Sequence, residues 1–251
     1  MVRAQLKVGA ADFTVGQANI RATPPLIPAS KVTTCIERAV DGTSVVGFNE
    51  MQGRDLGILL KPHGWASIQG ARGDRARAPL GYDVSVWGIV ERGEKQLSWA
   101  AGHASISVPS GNRWATWATL KHRATGQPVT FVAFHAVAHH NVGTGFGWTS
   151  HMNATILALK ALGQPNPFIS CFKQSMAGLE VLLAELAKKG APVVLTGDLN
   201  FQGLRVSAEP AAPENVLARA GLASIYSTRA LTTGTSGDRG IDVIALTKEK
   251  A

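Results

Sequence analysis

This chain of 251 residues is short of cysteine, of charge and of long apolar runs. Cys35 and Cys171 are its two cysteines; they form no CxxC pair and no disulfide framework, so a small disulfide-stapled fold is excluded. A single bridge between them stays open, and the redox compartment is not marked. No run approaches the roughly 18 unbroken apolar residues that a membrane helix needs. The amino-terminal MVRAQLKVGAADF lacks the apolar stretch of a secretory signal, which leaves the cytoplasm as the default expectation. Charged residues are only 17% of the chain against 45% hydrophobic, which excludes global disorder and allows one sizeable core. Acidic residues are the scarcer sign: 17 Asp and Glu against 25 Lys and Arg give a net charge of +8. That balance favours polyanionic partners: nucleic acid, phosphorylated substrates or anionic membrane surfaces.

What is present is a mixture of strand and helix patterns along the whole length, without repeats or a domain-splitting linker. Near-alternation predicts a strand over 13–20, and Ser30 is placed to cap a helix running to about residue 40. SVVGFN at 44–49 reads as a second strand, ending at Glu50. The segment 69–81 carries Arg72, Arg75 and Arg77 among Gly, Ala and Pro and reads as a basic loop outside the core. Strands are predicted at 82–90 and 103–108, a hairpin at 114–120 and 129–135, and helices at 150–162 and 173–189. PVVLT at 192–196 is a buried strand, Pro213 starts a short helix, and 241–246 is the last strand. The mixture indicates one α/β or α+β domain over 1–251.

Six polar residues sit in or beside these apolar strands, mostly near their ends: Asn19, Glu50, His135, Asp198, Asn200 and Asp242. Side chains at strand ends stand on a rigid support where reactive groups can be aimed. Asp198 and Asn200, two apart, project the same way if the strand persists; the alternative is a turn with local backbone bonds. Each residue alone has such an ordinary structural reading; their order along the chain is what gives them weight.

That order resembles the endonuclease/exonuclease/phosphatase superfamily, closest in flavour to its deoxyribonuclease I branch. The matching pieces are QANIR around Asn19, VVGFNE ending at Glu50, FVAFHA around His135, VVLTGDLN carrying Asp198 and Asn200, and RGIDVIAL around Asp242. The resemblance implies an α/β four-layer sandwich, two packed and mostly antiparallel β-sheets flanked by helices. It implies a divalent-metal-dependent phosphodiesterase, most simply a DNA endonuclease. By position, Glu50 would bind the cation with Asn19 beside it, and Asp198 would orient or deprotonate the attacking water. Asn200 would hydrogen-bond nucleophile or phosphate, His135 would stabilise the transition state or assist proton transfer, and Asp242 would orient a polar neighbour. Arg113 and Arg54 are the weaker candidates for phosphate contact. The arginine loop and Trp148 would serve a nucleic-acid backbone.

The chemistry stands without the family name. A phosphodiester is anionic and repels hydroxide, so a hard cation, a base and preorganised donors are all needed. Glutamate and asparagine oxygens suit Mg2+ or Mn2+; a zinc reading of His135 with His139 and His140 ranks below it. The family pattern also closes with a Ser-Asp-His run near the last strand, whereas all seven histidines here lie at or before His151. Three readings stay open: a missing final segment or strand, replacement by His139, His140 or His151, or a fold retained without turnover. The last makes a non-catalytic binding or assembly module the alternative function. A phospholipid or inositol phosphate substrate is the lesser one.

Overall fold

The structure is a computed structural model. It describes residues 1–20, 28–51, 53–70, 77–99, 112–137, 161, 163, 167–200, 209–224 and 242–247.

Strict alternation builds the first hairpin. In β1 (Val2–Val8), Ala4, Leu6 and Val8 are buried between exposed neighbours, and the strand pairs antiparallel with β2 (Ala11–Asn19). The chain then crosses through α1 (Ala29–Val40) and returns as β3 (Val45–Asn49), parallel to β2. The short α2 (Leu56–Leu60) and β4 (Trp65–Ile68) lead to β5 (Leu80–Asp83), which closes a five-stranded sheet in the order β1-β2-β3-β5-β4. The second sheet runs β10-β11-β9-β8-β7-β6. Its strands are β6 (Trp87–Ser98), β7 (Arg113–His122), β8 (Pro128–His135), β9 (Val193–Asp198), β10 (Leu222–Ser224) and β11 (Asp242–Thr247). Between β8 and β9 lies α3 (Pro167–Ala187), and α4 (Pro213–Arg219) precedes β10.

Each sheet therefore has one parallel pair, β2 with β3 and β8 with β9, among antiparallel neighbours. Ligand sites of parallel strands form at their carboxyl ends. Here those ends are Asn19, Asn49, His135 and Asp198.

Three apolar layers hold the sandwich. Phe13, Val15, Leu120, Phe131 and Ile244 fill the space between the sheets around Trp87, whose ring meets Phe13 and Phe131 edge-on at 5.1 and 5.3 Å. The Trp87 indole N–H is satisfied by the Ser44 hydroxyl at 3.1 Å, as burial of that donor requires. Helix α3 lays Phe172, Met176, Leu179, Leu183 and Leu186 against Val132, Phe134 and Leu195. On the other side Val32 and Ile36 of α1 join Phe48, Leu56 and Leu60. Each such fully buried aliphatic side chain contributes about 2 kcal/mol. The result is the expected helix–sheet–sheet–helix sandwich.

Several expectations are corrected. The first hairpin partner, β1, was not read from the sequence. The strand expected at 82–90 is two strands in different sheets. Between them Asp83 accepts hydrogen bonds from the Ser85 backbone N–H at 2.8 Å and hydroxyl at 2.7 Å, a turn that carries the chain from one sheet to the other. The end of the basic segment 69–81 enters the core, since Ala78 and Leu80 are buried between the sheets. Helix α1 begins after Pro28 with no side-chain cap, so Ser30 does not cap it. Helix α3 starts six residues earlier than expected, because Phe168, Cys171 and Phe172 continue its buried stripe. The strand expected at 103–108 lies outside the described residues, as does most of the helix expected at 150–162.

Candidate active site

Asp198 ends β9. In register it opposes His135 on β8 and Asp242 on β11, so three titratable side chains share one row and one face of the second sheet. In the first sheet Asn19 opposes Asn49, and the chain leaves β3 through Glu50 at φ 59°, a left-handed conformation that a non-glycine residue adopts at a cost of about 1 kcal/mol or more. The Asn19 side-chain amide then joins the sheets. It donates to the Glu50 carboxylate at 3.1 Å and to the Asp198 carboxylate at 3.0 Å. Ligand atoms of Glu50, His135 and Asp198 all lie within 4.8 Å of one another.

The strand does not persist to Asn200. That residue turns at φ 50°, its backbone N–H donates to Asp198 at 3.0 Å, and its side-chain amide donates to the Ala136 carbonyl at 3.1 Å. Asn200 thus fixes the Asp198 carboxylate from beside it rather than projecting parallel to it.

Asn49 and Gln17 were missed as parts of the site. Asn49 is fully buried; its oxygen accepts from the Gln17 amide and from the Asp198 backbone N–H at 3.0 Å, and its amide donates to the Phe134 carbonyl at 3.2 Å. The signal was available: two amides inside otherwise apolar strands must find buried partners. Asn49→Ala strands three polar groups at once and is expected to destabilise the fold by about 3 kcal/mol; urea unfolding followed by circular dichroism measures it.

The electrostatics follow from burial. Asp198 is pushed up to about 7, first by desolvation, then by the neighbouring Asp242 and further by Glu50, against the opposing hydrogen bonds from Asn200 and Asn19. His135 is held well below its ordinary value, first by burial, then by the positive charges of Arg113 and Arg77. The ring is therefore neutral at neutral pH, and its Nε2, 3.9 Å from the Asp198 carboxylate, makes a contact rather than an ion pair or hydrogen bond. Arg113 is buried at the start of β7. Arg77, read from the sequence only as part of a basic loop, is brought to the site; its carbonyl accepts from Met51 N–H, next to Glu50, at 3.4 Å. Arg54 sits in the turn after Glu50, its N–H bonded to the Met51 carbonyl and its own carbonyl to the Gln69 amide. Arg72, Arg75, His139, His140, Trp148 and His151 lie outside the described residues.

The donor set fits a hard divalent cation. Two carboxylates from different sheets converge with an imidazole. The Asn19 side-chain oxygen and His135 Nδ1 are buried without a hydrogen-bond partner among the described residues. Oxygen ligands of this kind suit Mg2+ or Mn2+.

No family model and no curated protein matches this sequence. Solved structures do. The mannosyl-6-phosphatase Bt3783 of Bacteroides thetaiotaomicron superposes with a TM-score of 0.61 at 18% identity, over 93% of this chain and 84% of that one. An endonuclease/exonuclease/phosphatase family protein from the same organism gives 0.61 at 17% identity, over 93% and 82%. The human Nocturnin catalytic domain with bound sulfate gives 0.58 at 13% identity, over 91% and 78%. This chain has the endonuclease/exonuclease/phosphatase fold. At these identities the likeness concerns architecture. Within the endonuclease/exonuclease/phosphatase fold, the candidate site is the cluster of Glu50, His135 and Asp198, where strands of the two sheets end together.

Proposed function

We propose that this chain is a divalent-metal-dependent phosphoesterase, and more narrowly a phosphodiesterase that cleaves the nucleic-acid backbone, DNA in the first instance. The observation that carries the reading is the Asn19 amide holding Glu50 and Asp198 from opposite sheets within one cluster that includes His135. Glu50 and the Asn19 oxygen would hold the cation. When bound, Mg2+ or Mn2+ offsets the negative charge of the phosphate and of the atoms leaving it. Asp198, with a proton affinity near neutrality, is matched to accept a proton from the attacking water. Asn200 keeps that carboxylate in place, and Asp242 keeps its proton affinity raised. The neutral His135 ring hydrogen-bonds the charged phosphoryl oxygens, and Arg113 and Arg77 supply the positive field. The net charge of +8 suits a long polyanion better than a neutral lipid surface.

Supercoiled plasmid incubated with the protein in Mg2+ or Mn2+ is expected to be nicked. Nicking is expected to stop in EDTA and to fall about 10³-fold in Glu50→Gln. Plasmid left intact at high protein concentration, with either metal, rejects the nuclease reading. Binding without cleavage would mark the non-catalytic module, and release of phosphate from inositol phosphates or phospholipid headgroups alone would move the substrate class.

A further inference from the structure

The end of β6 brings an exposed aromatic side chain to the edge of the sheet that carries the site. Ala115 opposes Phe134, so β7 begins where β8 ends at His135. Ser98, the last residue of β6, opposes Arg113, the first of β7. Trp99 follows Ser98 directly and therefore stands at the same end of the second sheet as His135 and Asp198. Two strand spacings, about 10 Å, separate β6 from β8.

Single apolar side chains on a surface are ordinary, but Trp99 differs from the others here. It is 55% exposed, whereas Trp65 and Trp87 are buried, and the other large exposed hydrophobic side chains among the described residues are not aromatic. Its backbone is held from both sides by α3. The Trp99 N–H donates to the Gln174 side-chain oxygen at 3.1 Å, and the Trp99 carbonyl accepts from the Cys171 thiol at 3.3 Å. The strand before it is seated as firmly: Leu97 is buried, and a Cβ on Gly178 of α3 would lie 2.9 Å from the Leu97 carbonyl oxygen. A tryptophan is thus left in solvent on an ordered backbone. Its large ring system can be ordered by fixing only two χ angles, and a backbone already fixed lowers the cost of binding further. The positive charges of Arg113 and Arg77 act at this end of the sheet, since both act on His135. A ligand that fits both features carries repeated anionic groups for the site and planar apolar groups for the ring. A single-stranded nucleic acid has that form.

We propose that Trp99 is a stacking platform for a base of a single-stranded nucleic acid, flanking the nucleotide whose phosphate enters the candidate active site. The assignment rests on the nucleic-acid reading above. It goes beyond that reading in placing a base contact and in favouring single strands, whose bases are free to stack on a side chain.

The test is anisotropy titration in EDTA, where no cleavage is expected. The probes are a fluorescein-labelled octathymidylate and an abasic strand with the same number of phosphates, and the proteins are the wild type, Trp99→Phe and Trp99→Leu. Trp99 is exposed, so both variants are expected to fold, which circular dichroism checks. The wild type is expected to bind the octathymidylate about tenfold more tightly than the abasic strand. That margin is about 1.4 kcal/mol, within the range for one base stacked on an aromatic side chain. Trp99→Leu is expected to erase the margin by weakening the octathymidylate alone, and Trp99→Phe to keep most of it. Equal wild-type affinity for the two strands overturns the subsite, as does no binding of either. So does an unchanged octathymidylate affinity in Trp99→Leu, or an equal loss for both strands. A fall in binding to phosphatidylserine vesicles, with the octathymidylate affinity intact, would assign the ring to a lipid surface instead. The nuclease reading fails separately, through intact plasmid. Base-dependent binding through Trp99 without nicking keeps the subsite on a binding module, whereas nicking without it removes the subsite alone.

Discussion

Asp198→Asn is expected to abolish cleavage and, at the same time, to make the metal-free protein more stable at pH 8. The Asp198 carboxyl titrates near 4 when unfolded and at about 7 in the fold, because burial and Asp242 disfavour its charge. The folded state therefore holds this proton more tightly than the unfolded state. Stability of the metal-free wild type falls as pH rises from about 4 to 7, and the full loss is present above 7. A shift of about three pH units corresponds to an upper limit on the order of 4 kcal/mol. The amide carries no charge and escapes this loss, although it disturbs the acceptor positions used by Asn19 and Asn200. The net gain at pH 8 is expected to be about 2 kcal/mol, shrinking toward pH 5. Urea unfolding in EDTA at both pH values measures it. Plasmid nicking by the variant is expected to fall at least 10³-fold. A variant less stable than wild type at both pH values, without metal, contradicts this account of the site.

The same group shows what was legible in the amino-acid sequence. Asp198 gained its weight from its place in the order of polar residues at the ends of apolar strands, since alone it also reads as a turn residue. Glu50, His135 and Asp242 were visible on the same ground, and the register sets His135, Asp198 and Asp242 in one row. Asn49 and Gln17 carried a fainter form of that signal, and their role lies in a contact between sheets that strand patterns do not encode. Arg77 was hidden by its surroundings, because Gly, Ala and Pro neighbours read as a loop whatever that loop is tied to. The split at 84–86 was hidden because Tyr82, Val84 and Val86 alternate as a continuous strand would, while the Asp83 turn that divides them depends on a side chain bonding locally. Boundaries were lost where a few hydrogen bonds decide, and the order of the elements was kept where apolar periodicity decides.

The other large effect is expected from a residue with no side chain. A Cβ on Gly47 of β3 would lie 1.9 Å from the Thr196 hydroxyl oxygen and 2.7 Å from its Cβ on β9. The two sheets approach here so closely that nothing fits between them, three residues before Glu50 and two before Asp198. Gly47→Ala is expected to cost about 3 kcal/mol, the upper range for overpacking, because backbone on both sides must move. Thr196→Gly removes both clashing atoms, at the loss of the hydroxyl's 3.2 Å bond to the Val132 carbonyl. The double variant is therefore expected to be about 2 kcal/mol more stable than the sum of the single changes, a coupling that urea unfolding of the four proteins measures. The contact also bears on function. Forcing β3 away from β9 separates Glu50 from Asp198 and stretches the single amide of Asn19 across the gap. Mn2+ affinity in Gly47→Ala, titrated below the unfolding transition, is expected to drop about tenfold and to recover in the double variant. Unchanged Mn2+ affinity in a destabilised Gly47→Ala would show that the spacing of the sheets does not govern the cation cluster.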